Sequence, residues 1–232
     1  MEASLRDRQV IGSGPRCSGS PHPRRPRVVL SNPDLLKYIR AGRIRFDPPI
    51  DEARVAQVSI DLTLGRKFTS FKQPPGYLPA IHVDPSLWES ADIWDHSEQD
   101  VYRLEPGQFV LAQTLERVYI PADLVGLVEG RSSYARVGVT VHVTAPKIDP
   151  GFDASITLEM ANFGKVAVDL RAGIDVPAQL IFLQLSKAIR AADLYGTRKG
   201  DRFQHQTDPI PRSKPRPSAE RSRAPKPFKG KR

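Results

Sequence analysis

The sequence predicts a mainly β fold, a β-barrel or jelly-roll sandwich preceded by one short helix. Three observations carry this reading. Short runs rich in β-branched and apolar residues follow one another from Val58 to Leu185. Gly, Pro and Asp punctuate those runs at short intervals. A single early segment has both the periodicity and the end signals of a helix.

Residues 1–27 are rich in Arg, Pro, Ser and Gly and have no apolar period, which is the composition of a disordered basic extension. A misplaced start codon is the plain alternative. The helix comes next, over Ser31 to Gly42. Ser31, Pro33 and Asp34 supply a cap, an early proline and an early acid. Leu35, Leu36 and Ile39 then share one face, and Gly42 can adopt the left-handed conformation that ends a helix.

The strands begin at Val58 to Leu64, where apolar and polar residues alternate. Phe109–Leu115, Leu124–Val128, Val137–Val143, Ile156–Met160, Val166–Leu170 and Leu180–Leu185 follow. Turns are expected at Glu105-Pro106-Gly107, Pro121-Ala122-Asp123, Asp149-Pro150-Gly151 and Arg171-Ala172-Gly173. Residues 74–100 hold four prolines, both tryptophans and several acids, and read as a long insertion or lid-like loop. Residues 207–232 form a second basic, Pro-rich tail. The tails carry +4 and +7, so Val28–Gln206 carries only −2 of the net +9. The high isoelectric point therefore belongs to the tails. They read as solvated extensions, with nucleic-acid or acidic-surface contact as the functional alternative.

Several classes are excluded. No apolar run is long enough to span a bilayer, and no apolar stretch follows the N-terminal arginines. One cysteine, Cys17, cannot make an internal disulfide, and a cytoplasmic location is expected. Zinc deaminases need H-x-E and P-C-x-x-C elements; His96-Ser97-Glu98 matches the first, but the second cannot exist with one cysteine. The five histidines show no metal-ligand spacing, and no metal site is expected. Walker A, G-x-G-x-x-G and nucleophile-elbow motifs are missing.

The chemistry concentrates in residues 130–159, GRSSYARVGVTVHVTAPKIDPGFDASITLE. Gly130-Arg131-Ser132-Ser133 offers backbone N–H groups, a guanidinium and two hydroxyls, a set suited to polyphosphate, with Arg136 close behind. A polar turn with exposed arginines fits the same residues. Glu159 is a carboxylate in the otherwise apolar run Ile156-Thr157-Leu158-Glu159-Met160. By period two it shares a face with Thr157 and opposes its apolar neighbours. Beside a pocket it can shuttle protons; on an open surface it is only a solvated acid.

These residues resemble the signature of dCTP deaminases: GRSS-x-AR-x-G, then T-A-x-x-I-D-P-G-(F/W), then (I/V)-x-L-E. The likeness continues upstream at Ile44–Pro49 and Val58–Phe68, and downstream at Leu170–Gly173, Ala178–Phe182 and Tyr195–Gln206. It covers Val28–Gln206 in order and implies that this span is a dCTP deaminase-like catalytic domain. The resemblance implies the distorted β-barrel/jelly roll of trimeric dUTPases, with active sites between subunits of a homotrimer. It implies that Arg131, Ser132, Ser133, Tyr134, Ala135 and Arg136 bind the triphosphate and frame the base. Asp149, Thr157, Leu158 and Glu159 would line the nucleoside pocket, and Tyr195, Arg202 and Gln206 would close over the nucleotide. Mg²⁺ would accompany the phosphates without activating the water.

The implied reaction is metal-free hydrolysis of dCTP to dUTP and ammonia, supplying dUTP for dTMP synthesis. Glu159 would act as base and then acid, Ser132 would hold the water or the amine, and Arg136 would stabilise charge. The chain departs from the best-known bacterial pattern at Pro146-Lys147, which replaces His-Arg, and Arg202 stands for a more usual lysine. Family members that form dUMP and pyrophosphate also lack that His-Arg pair, so a bifunctional enzyme is an alternative. A non-catalytic nucleotide-binding relative is another.

Overall fold

Among the described residues the first regular element begins where the capping signals lie, although the Ser31 side chain makes no capping hydrogen bond. In a computed structural model describing residues 28–72 and 93–210, helix α1 spans Asn32–Arg40, with Ser31 as N-cap and Pro33 in its first turn. Leu35 and Tyr38 are its buried face. Gly42 takes φ 64°, and its N–H donates to the Ile39 carbonyl, as expected of a helix terminator. The two basic tails beyond these residues, and residues 74–92 of the expected insertion, lie outside the described residues. No helix among the described residues is long and apolar enough to cross a membrane.

The strands are β1 (Arg45–Asp47), β2 (Ser59–Leu62), β3 (Lys67–Phe71), β4 (Trp94–Glu98), β5 (Val101–Leu104) and β6 (Phe109–Tyr119). They continue as β7 (Leu124–Gly130), β8 (Val139–Thr140), β9 (Lys147–Ile148), β10 (Asp153–Asn162), β11 (Val168–Arg171) and β12 (Ala178–Gln184). A single helical turn, α2 (Ser132–Ala135), follows β7. One sheet runs β4-β3-β6-β10-β8, with β1 added to β6; a second runs β2-β12-β7-β9; β5 and β11 pair separately. Every one of these pairings is antiparallel. Among the described residues no sheet closes on itself, and the mainly β fold is the distorted barrel/jelly roll that was expected.

Alternation builds the core. Val110, Ala112 and Val118 of β6 and Ala154, Ile156, Leu158 and Met160 of β10 point inward from one sheet. Leu124, Val128, Leu180 and Phe182 meet them from the other, in one continuous apolar cluster that includes Leu35. A fully buried side chain such as Phe182 contributes about 1.5–3 kcal/mol. Glu116 also points inward and is 3% exposed. Its carboxylate accepts from the Thr63 N–H (2.9 Å) and hydroxyl (2.5 Å), with Arg54 Nη1 at 3.3 Å, so the buried charge is paired.

Two expectations are corrected. The 74–100 stretch is not wholly loop, because Trp94–Glu98 forms an edge strand paired along the length of β3. Trp94 stacks on Phe71 at 4.3 Å, and the Thr69 hydroxyl meets His96 Nδ1 at 2.9 Å. The Val137–Val143 run yields only the two-residue strand β8. Val137 and Gly138 donate their N–H groups back to Tyr134 and Ala135, and Thr140 Oγ1 donates to the His142 carbonyl. Both ends of the run are thus consumed by turns.

Candidate active site

Strand β10 buries Ile156, Leu158 and Met160 and turns Thr157 and Glu159 the other way, as period two requires. Just before them, β6 carries a bulge: Ser155 pairs with Arg117, but Thr157 pairs with Gln113. Thr114 Oγ1 fills the irregularity by accepting from the Ile156 N–H at 2.9 Å. Over the outward face of β10 lies a cavity of about 280 Å³. Asp149, Thr157, Glu159, Tyr195 and Gln206, all expected from the sequence, line it together.

Each is held by named partners. Glu159 Oε2 accepts from the Val143 N–H at 3.0 Å, which fixes the carboxylate. Asp149 Oδ1 lies 2.7 Å from Lys147 Nζ, so the lysine of the unusual Pro146-Lys147 pair faces a carboxylate in this wall. Tyr195 leans on Phe152, with ring centroids 5.8 Å apart. Its hydroxyl accepts from the Phe203 N–H at 3.0 Å, leaving the phenolic proton to donate. Burial raises the Tyr195 pKa above its ordinary value. The turn at Asp149-Pro150-Gly151 packs directly beneath it. Gly151 has φ 92°, and a Cβ there would lie 2.8 Å from Leu194 Cβ and 2.9 Å from the Tyr195 nitrogen.

Gln206 donates from Nε2 to the Ser155 carbonyl (2.9 Å) and to Thr157 Oγ1 (3.0 Å). Its Oε1 is buried without a hydrogen-bond partner. The packed chain continues beyond the domain end expected at Gln206. Thr157 Oγ1 donates to the Pro209 carbonyl at 3.2 Å, Lys67 Nζ donates to the Thr207 carbonyl at 2.6 Å, and Ile210 is 4% exposed. Pro209 and Ile210 both line the cavity, a role the sequence reading missed because they sit at the start of a Pro-rich basic tail.

Other expected residues lie elsewhere. The Leu158 side chain is fully buried in the core, so only its backbone can face a ligand. Arg202 is exposed and outside the cavity wall. Arg131 to Arg136 form α2 and its cap, away from the wall that contains Glu159. Ser132, Ser133, Ala135 and Arg136 are exposed, while Tyr134 packs inward and burial raises its pKa. Three contacts brace this turn. The Arg131 N–H donates to the Pro177 carbonyl at 2.9 Å, Gln179 Nε2 donates to the Gly130 carbonyl at 3.1 Å, and Arg131 Nη1 lies 3.1 Å from Asp61 Oδ2. Asp61 was not expected at the site, since a partner 70 positions away leaves no local pattern.

The chain resembles the crystal structure of 2′-deoxycytidine 5′-triphosphate deaminase from Agrobacterium tumefaciens with a TM-score of 0.53 and 20% identity, over 69% of this chain and 49%, about half, of that one. The dCTP deaminase-like family model matches residues 29–185, and the chain belongs to that family. A Methanosphaera stadtmanae relative named "dCTP deaminase, dUMP-forming" is 40% identical over 67% of this chain and 78% of its own. A Halobacterium salinarum relative of the same name is 38% identical over 78% of this chain and 92% of its own. A Natronomonas pharaonis relative named "dCTP deaminase" is also 38% identical, with the same coverage.

Proposed function

We propose that the protein deaminates dCTP by hydrolysis, with Glu159 moving the protons. The observation that carries this is the meeting of Glu159 with Asp149, Thr157, Tyr195 and Gln206 around one cavity. Water adds to C4 of cytosine as the Glu159 carboxylate accepts its proton. The same carboxyl then protonates the departing amine, the C4–N bond breaks and ammonia leaves, and transfer of the remaining C4 hydroxyl proton to N3 completes the uracil ring. The fixed Val143–Glu159 hydrogen bond holds the carboxylate for both transfers. Asp149, Thr157, Tyr195 and Gln206 hold the nucleoside, and Arg202 closes over it from the same segment. The substrate arrives as its Mg²⁺ complex, and the chain's arginines answer the remaining phosphate charge.

Ser132 and Arg136 belong to the same reaction, yet α2 lies outside the cavity wall. The reading is therefore a homotrimer in which α2 of one subunit completes the cavity of the next. Arg131, Ser133, Tyr134 and Ala135 come with that turn and grip the triphosphate.

The product is dUTP on the first reading. The dUMP-forming names of two relatives, together with Pro146-Lys147, favour a second in which pyrophosphate is also released. Incubating the protein with dCTP and Mg²⁺ and resolving the products separates them. dUTP plus ammonia supports the deaminase, and dUMP plus pyrophosphate and ammonia supports the bifunctional enzyme. Bound nucleotide without turnover makes the protein a binding relative and overturns both.

A further inference from the structure

We infer that Asp61 is a positioning residue that aims the Arg131 guanidinium at the substrate's phosphates. This rests on the reading of Arg131 as a triphosphate ligand. Asp61 lies on β2, in register with Gln179 of β12, and Gln179 in turn pairs with Glu129 of β7. Strand β7 ends at Gly130, so β2 and β12 sit beside the base of the α2 turn. Two of the three braces on the turn hold its backbone, at Gly130 and Arg131. Ser59 Oγ donates to Gln179 Oε1 at 2.8 Å and fixes the amide that makes the first of them.

Neither backbone brace restrains the long Arg131 side chain. Asp61 does so, through a contact at 3.1 Å in which both side chains are partly shielded from water. An arginine has several rotatable bonds, and a guanidinium already held in place loses less freedom when it meets phosphate. The carboxylate engages Nη1, while a guanidinium carries five N–H donors, so others remain for phosphate oxygens. A negative charge near a phosphate site also repels the ligand. Aiming and repulsion predict opposite signs for removal of the charge, and this makes the role testable.

The test measures equilibrium binding of dCTP with Mg²⁺, and of deoxycytidine, to the full chain and to Asp61→Asn, Arg131→Ala and the double variant, each carrying Glu159→Gln so that dCTP is not consumed. Asp61→Asn is expected to weaken dCTP about tenfold and to leave deoxycytidine within about twofold. In the Arg131→Ala background the same change should add less than about twofold, because Asp61 acts only through Arg131. Asp61→Glu should recover part of the loss. Unchanged or tighter dCTP binding in Asp61→Asn overturns the inference. So does equal weakening of dCTP and deoxycytidine, or an undiminished effect in the Arg131→Ala background. A Glu159→Gln chain with no other change that binds no dCTP overturns the functional reading itself, and the two failures are distinguished in that way.

Discussion

Glutamine at position 159 keeps the side-chain shape and an oxygen for the Val143 N–H, but removes the proton acceptor. Glu159→Gln should therefore lower turnover by at least about 10³-fold, near the upper part of the range for general acid–base catalysis, while nucleotide still binds. Ammonia release and a binding isotherm on the same preparation check both halves, and an active Glu159→Gln enzyme would sink the assignment. The tyrosines give a second prediction. Burial raises the pKa of Tyr38, Tyr102, Tyr134 and Tyr195 above 10.0. In the unfolded chain these phenols begin to ionise near 10.0, while the folded protein still holds their protons. Their contribution to stability is thus complete below that pH and is lost as pH rises through the raised folded values. Melting temperature should fall as pH climbs past 10, in step with tyrosinate absorbance.

At the scale of elements, the turn between β9 and β10 sets the height of Tyr195. Gly151→Ala combines an unfavourable φ of 92° with backbone and side-chain contacts under 3 Å. It should cost about 1–3 kcal/mol of stability and raise KM for dCTP, as seen by chemical denaturation and steady-state kinetics. The α2 turn supports a different test. Coexpressed Glu159→Gln and Ser132→Ala chains, each inactive alone, should regain partial activity in mixed trimers, because one intact cavity can meet one intact turn. A silent mixture would place the whole site within one chain. Much of this was legible in the sequence. A lone acid in an apolar alternation marks Glu159, and the Pro-Gly punctuation marks the turn beneath Tyr195. Strand β4 was not legible, because its Asp-His-Ser-Glu run has no apolar period and its support comes from Phe71 and Thr69 on β3. The Asp61–Arg131 pair was equally hidden, since only the β2-β12-β7 sheet brings the two together.

Across the whole molecule, the described packing reaches Ile210, four residues past the boundary expected at Gln206. Truncation after Ile210 should leave turnover and melting temperature unchanged. Truncation after Gln206 removes the Pro209 carbonyl from Thr157, the Thr207 carbonyl and Asp208 from Lys67, and the buried Ile210 side chain. Losing a buried isoleucine alone costs about 2–5 kcal/mol where the site cannot collapse. The shorter chain should therefore melt earlier and bind nucleotide less tightly. Deleting residues 1–27 should change neither quantity.

The segment from Phe203 to Ile210 forms part of the cavity wall, and this governs timing as well as shape. Phe203, Gln206, Pro209 and Ile210 stand where a nucleotide would pass, tied to β3 by Lys67 and to β10 by Thr157. The prediction is an intramolecular opening step before nucleotide enters, at a rate independent of nucleotide concentration. In stopped-flow mixing, the observed association rate should rise with dCTP concentration and then level off. Lys67→Ala, which unties one end of the strap, should raise that plateau.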